Sequence, residues 1–212
     1  CPADQHYKLK PEQIAQAVTS KTKAMLFNNP SNPTGMVYSR EEIKALGDEL
    51  EKHDIWLLSD DIYDRMIFDG EKFHHLLHTN PNLRSRTACV QSISKNYGMP
   101  GWRVGMVAAP EAIISKFLTL SSTSITNINN VSMAAAAAAF GGDQGFSDAV
   151  IDVFAKKRDM VMAALAEIPN LTCPLPKGAF YAFPDVSAYY GKTHNGQEIT
   201  DDVALCTLML EE

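Results

Sequence analysis

The sequence lacks a surplus of basic residues. Nineteen lysines and arginines stand against 25 aspartates and glutamates, so the formal net charge at pH 7 is −6. Proteins that bind nucleic acids usually present a basic face to the phosphates. We therefore expect no nucleic-acid partner.

Long apolar runs are also absent. No stretch reaches the roughly 18 apolar residues that a membrane-spanning helix requires. The first segment, CPADQHYKLKPEQ, has no basic stretch followed by an apolar one, as a signal peptide would. We expect neither a membrane span nor a signal peptide.

Cysteine is scarce and dispersed. Cys1, Cys89, Cys173 and Cys206 form no close pair of the kind that zinc sites use. Scattered thiols are typical of a reducing compartment, which predicts a cytoplasmic protein.

The sequence also starts without methionine and ends, at LCTLMLEE, inside an apparent helix, so we expect a fragment of a longer protein.

The sequence does contain an alternation of strand and helix patterns. Strands are predicted at 23–30, 55–61, 87–94 and 103–110, and helices at 10–22, 39–54, 111–122, 129–142 and 146–168. The apolar run 55–61 is predicted to be buried on both faces, and 171–187 to form two short strands around the turn PKG. Such alternation predicts a largely parallel α/β sheet.

Polar residues follow three of these strands, where ligands bind in parallel sheets. They are Asn32 in NNPSNPTG, Asp60 and Tyr63 in SDDIYD, and Lys95 in SISKNYG, together with Ser92 and Arg103 around the lysine. Each residue alone has an ordinary explanation: a surface lysine, a packing tyrosine, a turn asparagine or a structural arginine. Their convergence on one sheet edge favours a binding site.

Pyridoxal 5′-phosphate (PLP) needs this combination of groups. Its aldehyde requires an amine to form a Schiff base. Its ring nitrogen requires a carboxylate, so that the protonated ring can accept electrons. Its phenolic oxygen requires hydrogen-bond donors, and its phosphate requires a hydroxyl and a fixed guanidinium.

The motifs resemble those of a known family. Three segments are similar to those of class I/II aminotransferases of PLP fold type I, and within them to bacterial aspartate aminotransferase-like enzymes. These segments are NNPSNPTG, LLSDDIYD and SISKNYGMPGWRVG. The segment PKGAFYAFPDVSAYYG resembles the start of that family's small domain. The resemblance implies a three-layer α/β/α large domain with a mainly parallel sheet over residues 1–158, and the beginning of a small α+β domain over 159–212.

The resemblance also implies catalytic roles. Lys95 would form the Schiff base with PLP and move a proton between the substrate α-carbon and the cofactor C4′. Asp60 would pair with the pyridinium nitrogen. Tyr63 would bond the phenolic oxygen.

Further residues would then bind the cofactor. Asn32 would share the phenolic oxygen with the tyrosine and lie near the substrate carboxylate. Ser92 and Arg103 would hold the phosphate. The family's glycine-rich phosphate turn and ring-stacking aromatic residue would precede this sequence, and its arginine for the substrate α-carboxylate would follow it, so the fragment alone is expected to be inactive.

The implied activity is transfer of an amino group between an amino acid, aspartate or similar, and a 2-oxo acid by a ping-pong mechanism. Two other interpretations stay open: another fold type I PLP enzyme, such as a carbon–sulfur lyase or a cyclase, and the aminotransferase-like sensor domain of a transcription regulator. The loop 121–130 resembles the family's dimer-facing loop, which predicts a homodimer.

Two local patterns have competing interpretations. Asp61 could take the role of Asp60, but it could equally cap a following helix, and Asp60 is preferred because it lies three residues before Tyr63. In FHHLLH, His74 and His78 have a spacing seen in zinc sites. No glutamate stands between them, so we expect a surface cluster and no metal.

Overall fold

The computed structural model describes residues 1–211. Its α-helices are α1 (Pro11–Ala17), α2 (Arg40–Leu50), α3 (Leu76–Thr79), α4 (Ile93–Asn96), α5 (Glu111–Ser124), α6 (Asn130–Gly141), α7 (Gly145–Ala166) and α8 (Asp202–Glu211). The strands are β1 (Ala24–Asn28), β2 (Trp56–Asp60), β3 (Thr87–Ser92), β4 (Gly105–Ala108), β5 (Thr193–His194) and β6 (Gln197–Glu198). Short 3-10 turns lie at Ala3–Gln5, Pro81–Arg86, Pro100–Trp102 and Ser187–Tyr189. Within this part of the chain, no helix is both long enough and apolar enough to cross a membrane.

The central sheet has the order β1-β2-β3-β4. The first three strands are parallel and β4 runs antiparallel to β3. Asn28 lies beside Asp60, and Asp60 lies beside Val90. The carboxyl ends of the parallel strands therefore meet at one edge, as the alternating pattern predicts.

Helix α2 forms for the local reasons visible in its sequence. The Ser39 hydroxyl accepts a hydrogen bond from the Glu42 N–H at 3.2 Å, and the Glu42 carboxylate accepts one from the Ser39 N–H at 2.7 Å. These two reciprocal bonds form a capping box. Ile43, Leu46 and Leu50 on one face are buried, each contributing roughly 1.5–3 kcal/mol of hydrophobic stabilisation.

Helix α1 is shorter than the predicted 10–22. It ends at Ala17, where Val18 takes an extended conformation. The Thr19 N–H then donates to the Thr22 hydroxyl at 3.0 Å, which closes a turn instead of continuing the helix.

The prediction that β2 is buried on both faces is wrong. Leu57 is enclosed against Ile14 and the apolar face of α2, whereas Trp56 is 42% exposed. On the neighbouring strand, Leu26 is 63% exposed. Helices α1 and α2 cover one face of this part of the sheet, so only alternate side chains are enclosed.

The two strands predicted within 171–187 do not form. Thr172 and Asp185 make one isolated bridge, and Gly178 makes another with Ile67. The backbone around PKG bonds to distant loops rather than to itself: the Phe68 N–H donates to the Lys177 carbonyl at 2.9 Å. The observed two-stranded sheet, β5–β6, lies further along the chain.

A three-residue ion cluster ties the loop after β2 to α7. The Arg158 guanidinium holds Asp69 with two hydrogen bonds of 2.8 and 2.9 Å, and the Lys177 ammonium lies 3.2 Å from the same carboxylate. The bond from Arg158, assisted by Lys177, lowers the pKa of Asp69 from 3.8 to about 2.

We expect Asp69→Asn to lower the free energy of unfolding by about 1 kcal/mol at pH 7, a value discounted because the carboxylate is partly exposed. Since the folded-state pKa of Asp69 is depressed, the stabilisation is present above about pH 4 and is lost as the pH falls through 2. Urea unfolding at several pH values measures it. Asp159→Asn removes a more exposed partner of Arg158 and should cost less. Equal losses for the two variants would contradict the assignment.

Candidate active site

The turn after β1 is fixed against a distant segment of the chain. Gly35 has a left-handed φ of +69°, and a Cβ atom there would lie 2.6 Å from the Pro176 Cβ. Its carbonyl accepts hydrogen bonds from the N–H groups of Lys177 and Gly178 at 2.8 and 2.9 Å. Glycine is therefore required at this position, because only glycine allows the NPTG turn to dock on the PKG turn.

This docking brings two tyrosines together. Tyr63 is buried, and its hydroxyl lies 2.5 Å from the hydroxyl of Tyr181. The side chain of Asn32 lies close enough to Tyr63 to favour its ionised form slightly. Burial and the bond with Tyr181 raise the pKa of Tyr63, whereas the proximity of Asn32 lowers it, and the net shift is upward. The two predicted residues Asn32 and Tyr63 thus lie near each other.

Asp60 ends β2 beside this pair. It is half-buried, and burial raises the pKa of its carboxyl group. The Ile62 N–H donates to it at 3.4 Å, and its charge raises the pKa of Tyr63. None of the ion pairs formed within residues 1–211 includes Asp60. A half-buried carboxylate of this kind suits a ligand that presents a protonated nitrogen.

Lys95 reaches the same cluster from α4. Its ammonium lies 5.0 Å from the centre of the Phe180 ring, a distance typical of a cation–π contact. The Phe180 ring in turn packs edge-on against Tyr63, with 5.5 Å between the ring centres. The predicted lysine and tyrosine are therefore joined through one aromatic ring.

Ser92 and Arg103 lie on either side of Lys95 in the sequence, and the side chains of both donate hydrogen bonds to backbone carbonyl groups. Ser92 is paired with Gly105 across the β3–β4 ladder. Its hydroxyl donates to the Val104 carbonyl and accepts from the Ser94 N–H, both at 3.0 Å. Arg103 is exposed, has a left-handed φ of +54° and donates to the Pro100 carbonyl at 2.9 Å. Both side chains are bonded to backbone groups, and their phosphate role stays a prediction.

The suggested capping role of Asp61 is wrong. Its buried carboxylate accepts a hydrogen bond from the Ser59 hydroxyl at 2.8 Å and lies 3.0 Å from Nε2 of His75. Since successive residues of a strand point to opposite faces, Asp61 lies on the side of the sheet away from Asp60. Its role is to hold a loop rather than to begin a helix.

The histidine cluster is engaged through its middle member, His75, rather than through His74 and His78. Nδ1 of His75 accepts a hydrogen bond from the Leu77 N–H at 3.0 Å and caps α3. Ligand atoms of Asp61, His75 and Cys89 lie within 4.8 Å of one another. A neutral histidine that bound a metal through Nε2 would carry its proton on Nδ1, facing the Leu77 N–H. The cluster is better explained by capping and pairing.

Two residues of the site were missed from sequence, Phe180 and Tyr181. Both lie in the segment PKGAFYAF, whose resemblance to the family indicated a domain boundary but no contact with the site. No spacing pattern signals the contact, because 118 positions separate Tyr63 from Tyr181. An apolar cavity of about 180 Å³ adjoins them, lined also by Phe154 and Val161 of α7.

The fold and the site define a class of protein. A mainly parallel sheet, with a lysine, an aspartate and a tyrosine gathered beyond the strand ends, is the arrangement of PLP fold type I. A sequence model of the family "Aminotransferase class I and II" matches residues 1–212. The chain belongs to this family, as its motifs predicted.

Individual relatives agree with the family assignment. An aspartate/prephenate aminotransferase from Cereibacter sphaeroides is 41% identical over 208 residues, which cover 97% of this chain and 52% of the relative. An aspartate aminotransferase from Geobacillus stearothermophilus is 39% identical over 180 residues, 85% of this chain and 46% of the relative. The chain spans about half the length of the curated relatives it matches.

Solved structures confirm the predicted fold class. The crystal structure of the aspartate aminotransferase from Rhizobium meliloti superposes with a TM-score of 0.95 at 34% identity, covering all of this chain and 54% of that one. The aspartate aminotransferase from Thermus thermophilus with maleate gives a TM-score of 0.84 at 29% identity, covering 99% of this chain and 52% of that one.

Proposed function

We propose that the full-length protein is a PLP-dependent aminotransferase that moves an amino group between an amino acid and a 2-oxo acid. The observation that supports this most directly is the contact of the Lys95 ammonium with Phe180, 5.0 Å from the ring centre, beside Tyr63. It joins the amine of one motif to the phenol of another, next to the unpaired carboxylate of Asp60. An amine alone would be uninformative, whereas an amine beside these groups fits PLP.

The chemistry of the donor set fits the cofactor. When bound, PLP supplies a ring that accepts electrons from the substrate α-carbon. Asp60 would accept a hydrogen bond from the ring nitrogen and keep it protonated. This role suits its half-burial and the absence of a cationic partner for it among residues 1–211. Tyr63 and Asn32 would donate to the phenolic oxygen.

Lys95 would act twice in this scheme. Its amine would bind the cofactor aldehyde covalently, and after the amino acid displaces it, the free amine would take and return the substrate α-proton. Ser92 and Arg103 would hold the phosphate once their side chains turn from the backbone carbonyls they now contact.

The substrates are proposed from the relatives. Those described above are named aspartate or aspartate/prephenate aminotransferases, and the Thermus structure contains maleate, a dicarboxylate. We therefore propose aspartate or a similar amino acid as the donor, with a 2-oxo acid as the acceptor, in a ping-pong sequence.

Assembly, location and domain limits extend the proposal. We propose a homodimer through the loop 121–130, where Ile125 is 67% exposed, and a cytoplasmic protein, since all four cysteines are free thiols. The boundary proposed between residues 158 and 159 lies inside α7, so that one continuous helix would connect the two domains.

A spectroscopic assay of the purified full-length protein tests the function. Addition of aspartate without acceptor should convert the visible band of the bound cofactor to that of its amine form and release one 2-oxo acid per site. A 2-oxo acid added next should restore the band. With cysteine in place of aspartate, release of sulfide, pyruvate and ammonia would instead indicate a carbon–sulfur lyase. An unchanged spectrum with tight amino-acid binding would indicate a sensor domain.

The two tyrosines should have graded effects on the cofactor. Tyr63→Phe removes a hydrogen-bond donor to the phenolic oxygen of the cofactor. The Nζ atom of Lys95, through which the cofactor is attached, should then hold its proton more tightly. We expect the pH midpoint of the visible band to rise by about 1–2 units, the equivalent of one charge-assisted hydrogen bond. Tyr181→Phe should shift it in the same direction by less, because it only orients Tyr63. A larger shift for Tyr181→Phe would contradict this order.

A further inference from the structure

We propose that Asn96 is a positioning residue that, through Asp64, fixes the direction in which Lys95 points. The inference rests on the proposed function, because it assigns a role relative to the reactive lysine. Asn96 follows Lys95 directly in the sequence and is 3% exposed.

Helix α4 cannot hold the lysine by itself. It contains only four residues, Ile93–Asn96, with Ser92 as its N-cap. Isolated helices shorter than about 12 residues are marginal in water, because the first turn fixes several residues for a single hydrogen bond. The orientation of Lys95 must therefore come from tertiary contacts of its neighbours.

Asn96 provides such a contact with the adjacent strand end. Its side-chain amide donates to the Asp64 carboxylate at 2.6 Å. Asp64 directly follows Tyr63, so this bond joins the lysine turn to the turn that contains Asp60 and Tyr63. Burial raises the pKa of Asp64, and the bond from Asn96 opposes that shift.

The backbone of Asn96 is anchored as well. Its carbonyl accepts a hydrogen bond from the Ser147 hydroxyl at 2.9 Å, and Ser147 is buried near the start of α7. The Arg65 guanidinium donates to the same hydroxyl at 3.1 Å and to Asp148 at 2.9 Å. The lysine turn is thus clamped between the segment after β2 and α7.

A second observation concerns the other polar atom of the Asn96 side chain. Its Oδ1 atom is buried without a hydrogen-bond partner among residues 1–211. Leaving a buried acceptor unpaired costs about 1–3 kcal/mol. An apolar side chain would avoid that cost, but it would take the amide donor away from the Asp64 carboxylate. The bond to Asp64 therefore accounts for the asparagine, and the proposal adds that this bond aligns the turn that contains Lys95.

The test compares Asn96→Ala with a matched variant in the full-length protein. Asn80 is also buried, also donates to an aspartate, Asp48, at 2.8 Å, and also has an unpaired Oδ1. Asn80→Ala should therefore lower the melting temperature as Asn96→Ala does. Only Asn96→Ala should lower kcat/KM, by about 10- to 100-fold, because small displacements of a reactive group have effects of that size.

Two measurements separate positioning from simple destabilisation. Asn96→Ala should slow borohydride fixation of the cofactor to Lys95 and should speed hydrogen exchange in peptides covering 92–99, while Asn80→Ala changes neither. The swapped pair Asp64→Asn with Asn96→Asp rebuilds an amide–carboxylate bond in the opposite direction and should recover at least part of both losses. It also serves if Asn96→Ala fails to fold.

The inference is overturned if Asn96→Ala shows wild-type fixation and exchange, or if the swapped pair is no better than Asn96→Asp alone. Failure of the proposed function has a different signature. A wild-type protein that fixes no cofactor at Lys95 would refute the function, and the hydrogen-exchange comparison would still decide whether Asn96 holds the turn.

Discussion

Lys95→Ala in the full-length protein should abolish covalent fixation of the cofactor by borohydride and lower kcat by at least about 10⁴-fold, the upper range for loss of a general acid–base group. The loss should be this large because one amine both binds the cofactor and transfers the α-proton. Mass spectrometry of the reduced protein locates the adduct, and steady-state kinetics measures the rate.

Lys192→Ala is the matched control for this variant. Its ammonium also lies over an aromatic ring, 4.8 Å from the centre of Tyr189, beside the β5–β6 sheet. It should keep both the adduct and the rate. An adduct that persists in Lys95→Ala at another lysine would refute the central assignment, and a similar loss in Lys192→Ala would indicate a general effect of removing a cation–π contact.

Asp60→Asn should lower kcat by about 10²–10³-fold, comparable to the loss of one preorganised electrostatic group in an active site. The amide has the size of the carboxylate but cannot stabilise a positive charge on the ring nitrogen, so the ring would accept electrons less well. Cofactor should still be fixed to Lys95. Single-turnover measurements with aspartate isolate the affected step.

The neighbouring residue supplies the control. Asp61→Asn removes the pairing with His75 on the opposite side of the sheet and should lower the free energy of unfolding by about 1–3 kcal/mol with kcat unchanged in the folded protein. If Asp61→Asn lost the rate while Asp60→Asn kept it, the two acids would have to exchange roles.

Local elements were predictable where their signals are local. The helix predicted at 39–54 was confirmed as α2, whose start is fixed by a capping box between Ser39 and Glu42, only three positions apart. The choice of Asp60 over Asp61 depended on a three-residue spacing to Tyr63, and Asp60 and Tyr63 do lie close enough for the carboxylate to raise the pKa of the phenol. The residue types of the site were therefore available from sequence.

Burial and long-range pairing were less predictable. An apolar run such as 55–61 has the same sequence pattern whether one face or both faces of the sheet are covered. Here Trp56 remains exposed. The strands expected around PKG did not form, and the reason again lies in distant parts of the chain. The backbone groups of this segment form hydrogen bonds with Gly35 and with the loop after β2. No local sequence pattern predicts these bonds.

The sequence by itself determined the family, the order of strands and helices, and the amine, acid and phenol at the strand ends, because each depends on short spacings along the chain. Only the tertiary structure decided that Phe180 lies between Lys95 and Tyr63, that Tyr181 bonds the same phenol, and that Asn96 clamps the lysine turn to Asp64. These contacts join residues 32 to 118 positions apart. They form because the NPTG turn docks on the PKG turn and because the carboxyl ends of the parallel strands lie at the same edge of the sheet. Both features bring distant segments of the chain together.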